Sequence, residues 1–110
     1  MSDAPFMHSP DDLKRWMEAG SKPREAWRIG TEHEKFGYRS TDFTPLPYDG
    51  PDGIHAMLQG LMQFGWQGKY EGDTLVGLVR DDSQGGGSVT LEPAGQLELS
   101  GAPLENIHQT

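Results

Sequence analysis

Two stretches decide the fold: WRIGTEHEKFGY at residues 27–38 and QLELS at residues 96–100. The first holds two glycines and no helical spacing of apolar residues, and it alternates residue types, which is the pattern of a strand. A strand turns successive side chains to opposite faces, so Glu32 and Glu34 share one side and His33 and Lys35 share the other. The second stretch alternates strictly. Leu97 and Leu99 fall on one face, and Gln96, Glu98 and Ser100 fall on the other.

Working outward, residues 74–80 (TLVGLVR) and 88–92 (SVTLE) read as two further strands. The polar, glycine-rich residues 81–87 join them as a hairpin loop. Pro93-Ala94-Gly95 interrupts before the QLELS strand. Ile54, Met57, Leu58, Leu61, Met62 and Phe64-Gly65-Trp66 recur at helical spacing, with Gly65 as the stop, and the Trp and Met stripe of this helix is core. A short helix is expected over Pro10 to Ala19, with Ser9 as N-cap, Pro10 at its first position and Gly20 at its end. Leu13, Trp16 and Met17 would pack inward as one stripe. Residues 40–52 form a loop, Pro103 is placed to open a short closing helix, and residues 1–8 are expected to be flexible. The fold class is therefore α+β, an antiparallel sheet with flanking helices.

Composition narrows the function. The 110 residues carry 9 Lys and Arg against 17 Asp and Glu, a formal charge of −8. Leu, Ile, Val and Phe together make up only 20 residues, so the chain is short of core for its length. There is no cysteine, hence no disulfide framework, thiolate zinc site or cysteine nucleophile. The acidic start lacks the apolar segment of a signal peptide, and no apolar run is long enough to cross a membrane. Scattered basic residues argue against a nucleic-acid partner. These observations lead to an expectation of a cytoplasmic protein with no membrane or nucleic-acid partner.

Several motifs fail on inspection. His33-Glu34 begins like the zinc-protease HExxH, but the second histidine would have to stand at Gly37. The glycine run at residues 85–87 lacks the lysine of a phosphate-binding loop and joins two strands. His8, His55 and His108 are isolated. What remains is carboxylate. Glu32 and Glu34 stand about 6.6–7 Å apart along one side of a strand, and Glu98, with Glu92 at the turn before it, adds acids to the same surface if the strands share a sheet. That spacing suits either a solvated strand face or a site for a hard divalent cation such as Mg²⁺ or Mn²⁺.

Residues 28–38 (RIGTEHEKFGY), residues 91–105 (LEPAGQLELSGAPLE) and the closing His108-Gln109-Thr110, with the Glu71-Gly72-Asp73 hairpin between, closely resemble the glutamate–cysteine ligase family of plants and proteobacteria. The one small departure is Ala94, where the family has a second glycine. The larger departure is length, because family members continue far beyond residue 110. The resemblance implies a glutamine synthetase-like fold, of which residues 1–110 would be the N-terminal segment, completed by the rest of the ligase domain. It implies ATP-dependent joining of the γ-carboxylate of glutamate to the amine of cysteine through a γ-glutamyl phosphate, the first step of glutathione synthesis. ATP is then a substrate and Mg²⁺ or Mn²⁺ the cofactor. Matched residue by residue, Glu32, Glu34 and Glu98 correspond to metal ligands. Glu92, Gln96 and Ser100 fall where substrate or supporting contacts would lie, and Arg28 and Lys35 could meet anionic ligands. The rival expectations are a non-catalytic acidic metal-binding or interaction module built on the same sheet, and a ligase joining glutamate to another amine.

Overall fold

A computed structural model describes residues 6–110. The expected flexibility of residues 1–8 falls mostly outside this range; residues 6–8 have no regular structure, and the His8 amide donates to the Asp12 carboxylate at 3.0 Å. The described chain is α+β: two helices and a five-stranded antiparallel sheet, joined by short 3₁₀ turns. The helices are α1 (Pro10–Ala19) and α2 (Ile54–Met62). The strands are β1 (Glu32–Phe36), β2 (Gln67–Glu71), β3 (Thr74–Val79), β4 (Ser88–Leu91) and β5 (Gln96–Ser100), and they lie in the order β1-β5-β4-β3-β2.

Helix α1 starts as expected. The Ser9 side chain accepts from the Asp12 amide, and Pro10 occupies the first turn, where its missing N–H costs nothing. The His8 amide and then the Arg15 guanidinium hold the Asp12 carboxyl below the usual aspartate range. The inward stripe, however, is not found. Leu13, Trp16 and Met17 are 55, 55 and 72% exposed, and no residue of α1 is buried. An amphipathic helix acquires an inner face only where a second element lies against it.

Helix α2 ends at Met62, short of the expected stop at Gly65, and makes the core with the sheet: Ile54, Leu58, Leu75, Leu78 and Val89 are buried together. Leu61, Met62 and Trp66 are half-buried, and Met57 and Phe64 are exposed, so the Met and Trp stripe is only partly core. Its first turn is anchored by the preceding loop. The amides of Ile54 and His55 donate to the carbonyls of Pro47 and Tyr48, each at 2.9 Å, which satisfies two of the donors a helix start leaves open. Gly53 is required there because a Cβ would sit 2.5 Å from the Asp49 carbonyl oxygen.

Strand β2 is not among the elements expected above, although the two-residue Gly72-Asp73 turn, with Gly72 at φ +57°, is the sign of the hairpin it forms with β3. Pairing runs Lys69 with Gly77 and then Tyr70 with Leu75, so Val76 is an extra residue, a bulge. One extra residue reverses the alternation, and both Leu75 and Leu78 therefore face α2. The Leu75 carbonyl accepts from the Tyr48 hydroxyl at 2.8 Å, tying the loop to the bulge.

Two expectations at the strand ends are corrected. The stretch 27–38 is strand only over Glu32–Phe36, flanked by single bridges from Ile29 to Leu104 and from Tyr38 to Pro45. Pro103 opens no helix. Leu104 instead exchanges two hydrogen bonds with Ile29, at 2.7 and 2.8 Å, and the closing 3₁₀ turn Ile107–Gln109 begins after Asn106, whose side chain caps it. At the other end of β5, Ala94 adopts φ +62°, a left-handed conformation in which its Cβ is crowded. Replacing Ala94→Gly should stabilise the protein by about 0.5–1 kcal/mol, the relief of that crowding less the extra chain entropy of glycine. Chemical unfolding of the two proteins side by side measures it; an unchanged or lower midpoint contradicts it.

Candidate metal and substrate face

The register of the sheet brings the two decisive stretches together. In β1 and β5, Glu32 pairs with Ser100, Glu34 with Glu98 and Phe36 with Gln96. Strand β4 then sets Ser88 beside Ser100 and Thr90 beside Glu98. Paired residues of an antiparallel sheet point to the same face. One face thus carries Glu32, Glu34, Phe36, Gln96, Glu98, Ser100, Ser88 and Thr90, and the opposite face carries His33, Lys35, Leu97, Leu99 and Val89. The expected alternation holds in both stretches.

The carboxylates are held by neutral donors. The Gln96 amide donates to Glu34 Oε2 at 2.9 Å, and the Ser100 hydroxyl donates to Glu98 Oε1 at 3.0 Å. The Thr90 hydroxyl donates to Glu92 Oε1 at 2.9 Å, and the Glu92 amide donates to the Gln96 carbonyl at 2.8 Å. Each of the three side-chain bonds fixes one carboxylate oxygen and, among the described residues, leaves the other open. Among the described residues, the ion pairs are Lys14 with Glu18, Arg15 with Asp12 and Arg39 with Asp52, so no lysine or arginine neutralises Glu32, Glu34, Glu92 or Glu98.

Glu34 and Glu98 are directly opposed, with Cβ atoms about 4.5–5.5 Å apart by the geometry of such pairs, an arrangement that is destabilising for like charges. A divalent cation reverses the sign of that contribution. The donor set fits one: hard oxygen ligands, each with a free atom, on a rigid sheet and without a basic partner. No group of three acidic or histidine side chains among the described residues is gathered closely enough to cage a metal. The fit is accordingly to a cation bound by one or two carboxylates and completed by water or phosphate, the usual manner of Mg²⁺.

Arg28 stands apart. It precedes β1, and its guanidinium donates to the carbonyls of Trp27 at 2.8 Å and Glu25 at 3.2 Å, not to any of these acids. Lys35 lies on the opposite face of the sheet. Ser88 and Thr90 were absent from the expected site, though the alternation of residues 88–92 places both on the face of Glu92.

Comparison with known proteins agrees with the two motifs. Residues 28–110 match glutamate-cysteine ligase family 2 (GCS2). The chain is 48% identical over 101 residues to a chloroplastic glutamate–cysteine ligase of Solanum lycopersicum, an alignment covering 91% of this chain and 18% of the relative. It is 48% identical over 101 residues to glutamate–cysteine ligase B of Oryza sativa subsp. japonica, covering 91% and 19%. With the Arabidopsis thaliana enzyme it shares 46% over 101 residues, covering 91% and 18%. The chain therefore spans less than a fifth of the length of these relatives. They are chloroplastic by name, which departs from the cytoplasmic setting expected from composition. No described helix is long and apolar enough to cross a membrane.

The opposed pair gives a direct test. In metal-free buffer Glu98→Gln should stabilise the protein by up to about 1 kcal/mol, the scale of a cross-strand charge pair. Millimolar Mg²⁺ should raise the stability of the unaltered protein more than that of the variant. Urea unfolding with chelator and with Mg²⁺ reads both, and equal Mg²⁺ responses would remove Glu98 from the site.

Proposed function

Because this chain belongs to the glutamate-cysteine ligase family 2, we propose that it is part of the catalytic domain of an enzyme that joins the γ-carboxylate of glutamate to the amine of cysteine at the expense of ATP. The observation that carries this reading is the unpaired carboxylate row. The two family motifs supply adjacent strands, and their acids meet as Glu34 opposite Glu98 with no basic residue between. Such a face repels anions until cations cover it, and then it attracts phosphate.

The reaction has two displacements. A γ-carboxylate oxygen of glutamate takes the γ-phosphoryl group of ATP, and ADP leaves. The cysteine nitrogen then attacks the acyl carbon of the γ-glutamyl phosphate, phosphate departs with the carbon–oxygen bond electrons, and the nitrogen loses a proton. Mg²⁺ or Mn²⁺ supplies neutralisation of the charge that gathers on the transferred phosphoryl group.

The chain's own contribution is placement. Glu32, Glu34 and Glu98 are the carboxylates that hold the cations. Gln96 and Ser100 fix the orientation of Glu34 and Glu98 through their hydrogen bonds, and Glu92, anchored by Thr90, lines the end of the same face. Their remaining hydrogen-bonding capacity is available to glutamate. Arg28 is left out of this set because its guanidinium is engaged with backbone carbonyls. Carboxylates on a sheet take the place of the glycine-rich phosphate loop that the sequence lacks. A glutamine synthetase-like architecture, in which a curved antiparallel sheet presents its polar face to nucleotide and amino acid, accommodates this arrangement.

In the full-length protein, Glu32→Gln or Glu98→Gln should lower ATP-dependent formation of γ-glutamylcysteine by more than the roughly 10–100-fold that loss of a ligand-orienting hydrogen bond costs. Gln96→Leu should fall within that smaller range. Assays of product and of released phosphate at limiting Mg²⁺ check both, and near-normal turnover of Glu98→Gln refutes the assignment. Normal turnover with another amine in place of cysteine would instead redefine the acceptor.

A further inference from the structure

The back of the sheet is only partly covered. Helix α2 lies against β2 and β3 and reaches β4 at Val89. Beside it a groove of about 650 Å³ runs over β5 and β1, walled by Met57 and Leu61 of α2 and floored by Leu97, Leu99, His33 and Lys35. Leu99 is 40% exposed and Met57 36%.

The dimensions identify what fits. Strands lie about 4.8 Å apart, so five strands span about 19 Å and a helix, about 10 Å across, covers two of them. α2 therefore leaves β5 and β1, with the flank of β4, for one more helix at the usual spacing of 8–10 Å from α2. The chemistry narrows it further. Lys35 forms no ion pair among the described residues and stands with His33 in an otherwise apolar floor, in a chain whose net charge is −8. A lysine bordering an apolar groove is best matched by a carboxylate on the occupant. The relatives are more than five times as long as the stretch matched, so a ligase polypeptide of their length has ample chain to provide one.

We infer that this groove receives an amphipathic helix from the remaining length of the same ligase polypeptide, lying beside α2 and presenting an aspartate or glutamate to Lys35. This rests on family membership and on the sheet geometry, and not on the chemistry assigned to the opposite face. The sheet then becomes the middle layer, with a helix pair behind it and the carboxylates in front.

The full-length protein, prepared as a mixture of ¹⁵N-labelled and unlabelled copies, is treated with a carbodiimide, which joins amines to adjacent carboxylates, and the products are read by mass spectrometry. The expected product links Lys35 to an acid beyond residue 110 within one copy. A Leu99→Cys variant provides the second measurement: native protein should react with iodoacetamide at least 100-fold more slowly at residue 99 than urea-unfolded protein. Cross-links between copies would identify a second subunit as occupant and overturn the inference. Rapid labelling of residue 99, or protection without any Lys35 cross-link, would overturn it equally. Neither readout involves turnover, so it can fail while the ligase reading stands, and the reverse.

Discussion

The antiparallel register between β1 and β5 is the constraint on which everything else depends. It is made by strands 62 residues apart in sequence at the Gln96 to Glu34 hydrogen bond, and it sets Glu34 against Glu98 on one face. The same register sets His33 against Leu99 and Lys35 against Leu97 on the other. A slip by one residue would exchange the faces, sending the carboxylates into the apolar groove and the leucines into the polar row. Both misplacements are costly, so burial on one side and charge on the other select the same pairing.

That pairing accepts a local penalty. Two facing glutamates without a basic neighbour weaken a sheet, and the neutral donors Gln96 and Ser100 orient them without cancelling their charge. An arginine in their place would stabilise the strands and occupy the carboxylate oxygens that these donors leave open. The sheet tolerates the penalty because its cohesion comes from elsewhere: the backbone ladder, and the small core that α2 makes with Leu75, Leu78 and Val89. The bulge at Val76 is part of this, since it turns two leucines rather than one toward the helix.

Much of this is legible from residue order. The alternation in residues 32–36 and 96–100, the spacing of Ile54, Leu58 and Leu61, and the Ser9-Pro10 start of α1 all depend on neighbours a few positions away, and all are found. The failures have more than one origin. Strand β2 is a short polar run, QGKYE, whose place in the sheet comes from its pairing with β3, and the inner stripe of α1 has no facing element among the described residues. Leu104 pairs with Ile29, a residue remote in sequence, where Pro103 suggested a helix start. Arg28 is decided locally: its charge suggested an anion, and two carbonyls of its own turn engage it.

By itself the sequence determined which residues are carboxylates, which of them share a side of their own strand, and the family to which their motifs belong, because side-chain alternation and motif spacing are local properties of the chain. Only the tertiary structure decided that the two motifs lie on neighbouring strands with Glu34 facing Glu98, that Ser88 and Thr90 join them, and that His33 and Lys35 line a half-covered apolar groove. Register between distant strands is set by the joint burial of a whole face, and no single segment carries that information.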